Sequence, residues 1–382
     1  MHTDASERIV PLEPRDQVVV EDELELAEFL RDCDARKEAC LPVGFASREG
    51  FGAPVDESVR RVSLRKLAGV SRFAPDDLTC GVRVGTRWSD LLATIEAEGL
   101  TLESGPIHAA AHRSVGGVFA EAPPNPRGHD RGALRSQIIG LRAMDGRGAE
   151  FRSGGRVVKN VAGYDLCKLF VGSGGAYFAA LELELRLVAL PRTIACVRSK
   201  PMPRNDASAL WIELRRTLPD TRSIDLVLAS DGSACVEFVV AGAPALVTAR
   251  AKLDAFEVIA EGQAAWHRAP DSLDAAPLIM RGRMRPSRID DFMKWMPLEA
   301  RGRVHFQGAF ALGIDGTVPP ALEATVGFAR VLRGPRGMLL TTLVDDAIET
   351  RLFRVFGTCF APGRISFDTS TPPTPTRASN HG

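Results

Sequence analysis

A chain of 382 residues, with 48 basic against 48 acidic side chains and 45% hydrophobic content, carries enough apolar material for two domains with sizeable cores. Zero formal charge and a near-neutral isoelectric point leave no electrostatic footprint for nucleic acid. No apolar run approaches the ~20 residues that a bilayer crossing takes, and MHTDASERIV has neither a basic nor an apolar leader region.

The expected setting is therefore the cytoplasm, with any membrane contact made through partners. Seven cysteines, Cys33, Cys40, Cys80, Cys167, Cys196, Cys235 and Cys359, stand without a C-x-x-C pair or metal-ligand spacing. A disulfide framework, an iron–sulfur cluster and a thiolate metal site are not expected.

In chain order, residues 1–16 read as a flexible arm. Val18–Val20 reads as a strand and Glu21–Ala35 as a helix whose first turn is acidic, where negative charge meets the positive end of the helix dipole. The loop LPVGFASREGFG, Leu41 to Gly52, follows. Leu78–Val84 alternates as a strand, and Trp88–Glu98 is an amphipathic helix with Trp88, Leu91, Leu92 and Ile95 on one side. His108 and His112 have the spacing of a helical metal pair, but no third ligand is near and the glycines after them favour a turn. Three prolines stiffen Ala122–Pro126, and Asp145-Gly146 reads as a hairpin turn before Ala149–Arg152.

The stretch from Ser153 to Leu190 reads as a tight polar loop, a short helix at Leu166–Phe170, a glycine turn at Gly172–Gly175 and then a strand over Leu181–Leu187. So many glycines let a backbone approach a ligand closely, although a plain surface loop has the same composition. Gly172-Ser173-Gly174-Gly175 opens like a dinucleotide fingerprint, yet Tyr177 stands at the third glycine and a strand follows, which sets a Rossmann enzyme aside. Beyond Pro191, strands are expected at Asp225–Ala229 and Val236–Val240, with helices near Ala207–Thr217 and Ala245–Ala260. Arg281, Arg283 and Arg285 form either a carboxylate-binding cluster or a solvated basic edge.

The run GGRVVKNVAGYDLCKLFVGSGG resembles the matching segment of FAD-linked oxidases of the vanillyl-alcohol oxidase, PCMH-type family, in particular the FAD-binding E subunit of bacterial glycolate oxidase. The resemblance implies an α+β fold: a two-part FAD-binding domain over 17–191, a ferredoxin-like cap over 192–340, a C-terminal return segment over 341–367 that keeps Pro362-Gly363-Arg364, and a disordered tail over 368–382. It implies a small helix at Leu64–Val70 and a strand at Gln137–Arg142. It also makes Leu41–Gly52 the loop that cradles the cofactor pyrophosphate, with the motif's run of glycines thinned to Gly44 and with Phe45 and Ala46 where further ones are usual. Read as an ordinary turn after a strand, the same loop would have no such role.

The implied FAD contacts are Gly44 and Ser47 in that loop, Ser114, Val115, Gly116 and Gly117 as a T-[IV]-G-G turn, Gly132 and Arg135, then Lys159, Asn160, Gly163, Tyr164, Asp165 and Gly172. Lys159 or Arg135 is either a cation beside the reduced flavin or a surface charge. No catalytic base and no metal ligand is assigned: the histidine cluster of substrate-oxidising relatives has only VHFQGAF, around His305, as a counterpart, and His267 stands alone. The implied activity is flavin-dependent oxidation of a small 2-hydroxy acid, glycolate to glyoxylate, together with a catalytic flavin subunit and an iron–sulfur subunit. Two other readings remain: an assembly subunit that has lost its flavin, and a stand-alone oxidase of another alcohol or hydroxy acid.

Overall fold

The computed structural model describes residues 17–47, 58–103, 113–123, 134–155, 165–218, 221–244, 247, 256–266, 273, 276, 278–315 and 328–333. The arm, the return segment and the tail expected from the sequence lie outside these, as do His108, His112 and His267.

The chain begins with β1 (Gln17–Val19), α1 (Glu23–Arg36), β2 (Cys40–Val43) and β3 (Arg60–Ser63), whose strands form a parallel sheet in the order β1-β3-β2. Helix α1 starts where Asp22 accepts from the Leu24 and Glu25 amides at 2.9 and 3.0 Å. It ends at Lys37, which takes the left-handed conformation with φ 58°. Leu26, Leu30 and Cys33 recur at helical spacing and are fully buried.

Next come β4 (Val70–Ala74), β5 (Thr79–Arg83), α2 (Trp88–Glu96), the short β6 (Leu100–Thr101), α3 (Val115–Glu121), β7 (Ile138–Met144), β8 (Glu150–Gly154), α4 (Leu166–Phe170), β9 (Ala179–Arg186) and β10 (Val188–Ala189). Five of the strands build an antiparallel sheet, β4-β5-β9-β7-β8, and β6 pairs with β10. One apolar core runs through both sheets and the helices between them. On α2, Trp88, Leu91 and Ile95 are buried as the spacing predicts, with Leu92 packed at the margin.

The expected helix at Leu64–Val70 is instead a turn. The amide of Gly85 donates to the Leu67 carbonyl at 2.8 Å, and Gly69 takes φ 113°, so the backbone is drawn onto the neighbouring loop. Ser114-Val115-Gly116-Gly117, expected as a turn, is the start of α3, with Ser114 Oγ accepting from the Gly117 amide at 3.1 Å.

The remaining elements are β11 (Ile194–Ser199), β12 (Met202–Pro203), α5 (Arg204–Thr217), β13 (Ser223–Leu228), β14 (Ser233–Ala241), β15 (Phe256–Glu261), α6 (Gly262–Trp266), β16 (Leu278–Arg283), α7 (Ile289–Trp295), β17 (Arg301–His305), β18 (Ala309–Ile314) and β19 (Phe328–Arg333). Of the helix expected over Ala245–Ala260, Phe256–Ala260 is strand, paired antiparallel with β11. These strands make one antiparallel sheet ordered β15-β11-β14-β13-β17-β18-β16-β19, with β12 attached to β14.

That order is two ferredoxin-like units side by side. In the first, β11, α5, β13, β14 and β15 give the strand order four-one-three-two; in the second, β16, α7, β17, β18 and β19 give its mirror, and β13 pairs with β17 at the seam. Helices α5 and α7 cover one face through Trp211, Phe292 and Met293, packed on Phe238, Phe310 and Leu226.

The two sheets of the first part are tied by Glu23. From the first turn of α1 its carboxylate reaches Arg142 on β7 at 2.7 Å and Arg83 on β5 at 3.1 Å. The Arg142 hydrogen bond holds the Glu23 carboxyl below the ordinary value of 4.5, against the opposing effect of burial. A depressed folded-state pKa means that this stabilisation is present above the ordinary value and is lost as pH falls through the folded one. Glu23→Gln should lower stability at neutral pH by about 1 kcal/mol after solvent screening. The gap to wild type, measured as urea midpoints, should close as the pH drops below 4.5.

Candidate functional site

Glycines from three separate segments meet in one slot. Its walls are Pro42, Val43 and Gly44 at the end of β2, Ser114, Gly116, Gly117 and Ala120 on α3, Gly174 and Gly175 in the turn before β9, and Phe170, Phe178, Ala180, Leu64 and Val84 behind them. The slot measures about 60 Å³, and its walls are mostly apolar.

Strand β2 delivers Gly44 against α3. A side chain there would place its Cβ 2.1 Å from Ser114 Oγ, and a Cβ at Gly116 would fall 2.7 Å from that of Val84. The glycine turn is stapled to the other end of α3: the Gly172 amide donates to the Phe119 carbonyl at 3.1 Å and that of Gly174 to Ala120 at 2.8 Å. Gly172, Gly174 and Gly175 all have positive φ, at 84°, 63° and 82°, which explains the residue type there.

The amides expected to face a cofactor at the start of α3 are used inside the protein. Val115 donates to Thr86, Gly116 to Val84 and Gly117 to Ser114 Oγ, at 2.8, 2.9 and 3.1 Å. What these glycines offer the slot is a flat backbone surface, suited to the face or edge of a ring.

The loop after β2 keeps an unusual backbone. Ala46, at one of the positions where glycine was expected, has φ 53°. Ser47 is exposed, and the Arg87 guanidinium lies 4.3 Å above the Phe45 ring. A larger hollow of about 430 Å³ opens beside Phe45, lined by Arg65, Lys66, Arg87 and Asp90. It is wider than the slot, but its cations are exposed and Lys66 is paired with Glu21. The glycine slot, with its buried walls, is the better candidate for an aromatic cofactor.

Of the other expected contacts, Gly132, Lys159, Asn160, Gly163 and Tyr164 lie outside the described residues. Arg135 is exposed on a 3-10 turn at Leu134–Ser136. Asp165 caps α4 and pairs with Lys168 at 2.8 Å. Burial pushes its carboxyl up, but the Lys168 side chain and backbone, helped by the charge of Arg135, outweigh this and hold it below the usual carboxylate range. Burial raises the Cys167 thiol to about 11, so no reactive thiolate stands here near neutral pH.

Above the glycine slot the sequence reading missed a line of charge. Glu121, the last residue of α3, pairs with Arg113, itself 3% exposed, and with Arg281 on β16, joining the slot helix to the cap sheet. On the same face of that sheet, His305 Nδ1 lies 2.8 Å from Asp225 Oδ1, Arg303 reaches Asp225 at 3.3 Å, and Arg198 donates to Glu237 at 2.6 Å. Asp225 and His305 are 80 residues apart, so only the β13–β17 pairing reveals them as partners. The three arginines considered as a cluster separate: Arg281 goes to Glu121, Arg283 is exposed with its guanidinium on Gln307 at 3.0 Å, and Arg285 is exposed at the start of a 3-10 turn.

Residues 14–154 match the family model described as an FAD binding domain. The match makes FAD the cofactor, and the half-buried glycine walls fit a flat ring system at close range. Among relatives, glycolate oxidase subunit GlcE of Escherichia coli (strain K12) is 33% identical over 173 residues, 45% of this chain and 49% of that one. Glycolate oxidase subunit GlcD of Bacillus subtilis (strain 168) is 28% identical over 44% of this chain and 36% of that one. The mitochondrial D-lactate dehydrogenase [cytochrome] of Arabidopsis thaliana is 30% identical over 44% and 30% respectively. The matched stretch thus spans about half the length of these relatives or less.

Among solved structures, alkyldihydroxyacetonephosphate synthase aligns with TM-score 0.59 at 12% identity, over 89% of this chain and 74% of that one. BBE-like #28 from Arabidopsis thaliana aligns with TM-score 0.59 at 14% identity, over 79% and 73%. These likenesses extend the shared α+β, PCMH-type fold through the cap.

Two substitutions test the slot. Ala46→Gly removes a left-handed alanine and should raise stability by about 0.5–1 kcal/mol in thermal or urea unfolding. Gly44→Ala should push Ser114 aside and weaken flavin retention, and adding Ser114→Gly should restore part of it, read as bound flavin per chain after gel filtration.

Proposed function

We propose that this chain is the FAD-binding subunit of a glycolate oxidase or dehydrogenase complex, taking part in oxidation of a small 2-hydroxy acid. Residues 17–191 hold the cofactor and 192–340 cap it. The observation that carries the reading is the meeting of Gly44, Gly116, Gly117, Gly174 and Gly175 in one slot. The likeness to GlcE supports the subunit role, and the hydroxy-acid names of the other relatives support the substrate class.

Bound FAD supplies hydride acceptance and onward passage of electrons, singly or in pairs. The chain positions it: α3 and the glycine turn set the slot's width, and the Glu121–Arg281 pair ties α3 to the cap sheet. Ser114, Val115, Gly116, Gly117, Gly44 and Gly172 belong to that frame, and Arg135, Asp165, Ser47, Gly132, Lys159, Asn160, Gly163 and Tyr164 are assigned to the cofactor from the family resemblance.

No group of three His, Cys, Asp or Glu that could hold a metal occurs among the described residues. In this reading a catalytic flavin subunit and an iron–sulfur subunit carry the remaining chemistry, which the likeness to a glycolate oxidase subunit supports. No helix among the described residues is long and apolar enough to cross a membrane; the reading places the chain in the cytoplasm, meeting a membrane through its partners.

The purified chain should show flavin absorption bands, with FAD released on denaturation at close to one per chain. Alone, it should turn over glycolate and D-lactate little or not at all. A colourless chain that stays colourless after incubation with FAD would overturn the flavin role in favour of an assembly subunit, and turnover by the isolated chain would overturn the need for partners.

A further inference from the structure

Two thiols meet beneath one arginine. Cys33 lies in the last turn of α1 and Cys40 opens β2, and both side chains are buried in the same core. Neither is in a disulfide. The turn between them is pinned: the Glu38 amide donates to the Cys33 carbonyl and the Arg60 amide to the Ala39 carbonyl, each at 2.9 Å. In register, Cys40 stands directly opposite Arg60 on β3, so the two side chains share one face of the parallel sheet. Arg60 Nη1 donates to Cys33 Sγ at 3.5 Å, and the Cys40 thiol is hydrogen-bonded to that of Cys33.

The arginine is held over the pair. Asp32 accepts from the same nitrogen at 2.7 Å and Glu38 at 3.2 Å, while the Phe29 ring packs 4.6 Å from the guanidinium carbon. The Arg60 side chain is nonetheless 32% exposed, so the Cys33 sulfur lies one guanidinium beneath solvent. A cation against sulfur favours the thiolate, the form that reacts with oxidants. The Cys40 hydrogen bond and the Arg60 charge accordingly hold the Cys33 thiol below its ordinary value of 9.0, against burial and the carboxylates of Glu38 and Asp32. Burial instead pushes the thiols of Cys80 and Cys167 up to about 11.

We propose that Cys33 and Cys40 are a redox modification site, oxidised to a reversible disulfide by hydrogen peroxide. The Cys33 sulfur attacks one peroxide oxygen, the O–O bond breaks, and the departing hydroxide takes up the proton that Cys33 gave up, leaving as water and Cys33 as a sulfenic acid. The Cys40 sulfur then attacks the Cys33 sulfur, the S–O bond breaks, and a second water leaves with the Cys40 proton. In sum, two thiols give two electrons and two protons to one peroxide. A small uncharged oxidant needs only a swing of the Arg60 side chain to reach Cys33, and transient bridges of this kind, unlike structural frameworks, suit a reducing compartment. The bridge ties α1, which carries Glu23, to the strand whose end, Pro42 to Gly44, walls the glycine slot. It stands independently of the flavin reading.

The test is treatment of the folded full chain with hydrogen peroxide, followed by alkylation, unfolding and tryptic digestion. Cys33 and Cys40 fall in separate tryptic peptides, Asp32–Arg36 and Glu38–Arg48, which should appear joined, and dithiothreitol should part them. Cys80 and Cys167 should still be alkylated once the chain is unfolded. In Cys40→Ser the sulfenic acid has no thiol to resolve it, so dimedone should label Cys33. Arg60→Gln should slow the joining about threefold or more, because the thiolate fraction falls, and Arg60→Lys, which keeps the charge, should recover most of the rate. Peptides that stay separate, oxidation of Cys80 or Cys167 ahead of the pair, or joining in folded Arg60→Gln as fast as in wild type would each overturn the proposal and leave the two cysteines as core residues.

Discussion

A single carboxylate sets the geometry on which the glycine slot depends. Glu23 belongs to the helix of the parallel sheet, and its two arginine partners belong to neighbouring parts of the antiparallel sheet. Walls of the slot come from both sheets: Pro42, Val43 and Gly44 end a strand of the first, while Phe178 and Ala180 lie at the start of β9 in the second. Any relative movement of the sheets would change the slot's width. The continuous apolar core resists separation but is nearly indifferent to small sliding, since hydrophobic contact is not directional. The guanidinium–carboxylate contacts are directional, and they fix the position.

Between the sheets, α3 is held from every side. Its first amides are bound by the loop after β5, its last carbonyls by the glycine turn, and its final carboxylate by the cap. A helix of seven residues has little intrinsic stability. Its persistence here is tertiary, so the slot is shaped by contacts drawn from distant parts of the chain.

That dependence explains what could be read in the sequence and what could not. The capped, acidic start of α1, the apolar stripe of α2, the short helix at Leu166–Phe170 and the strand after the glycine turn are local patterns, and the structure has them. Leu64–Val70 failed as a helix because its backbone hydrogen bonds go to a neighbouring loop, and Phe256–Ala260 failed because a strand edge claimed it. Gly44, Gly116 and Gly117, expected as cofactor contacts through motif resemblance, meet in the glycine slot. Gly174 and Gly175 were visible as a turn but not as walls, and Glu121, Arg113 and Asp225 carried no local signal, since each acts on a partner set by strand register or helix docking.

The seam between β13 and β17 has a further consequence for how the cap assembles. Its two units are built alike, so several pairings of their strands would bury comparable apolar area. Along the seam, Asp225 faces His305, with Arg303 and Glu237 completing the buried polar network. A slip of one residue would turn Arg303 and His305 into the space of Val304, beneath the helices. Charges would then stand unpaired among Phe238, Phe310 and Leu226. The network acts as a key that admits one alignment of two similar halves, and so gives the duplicated sheet a single way to close.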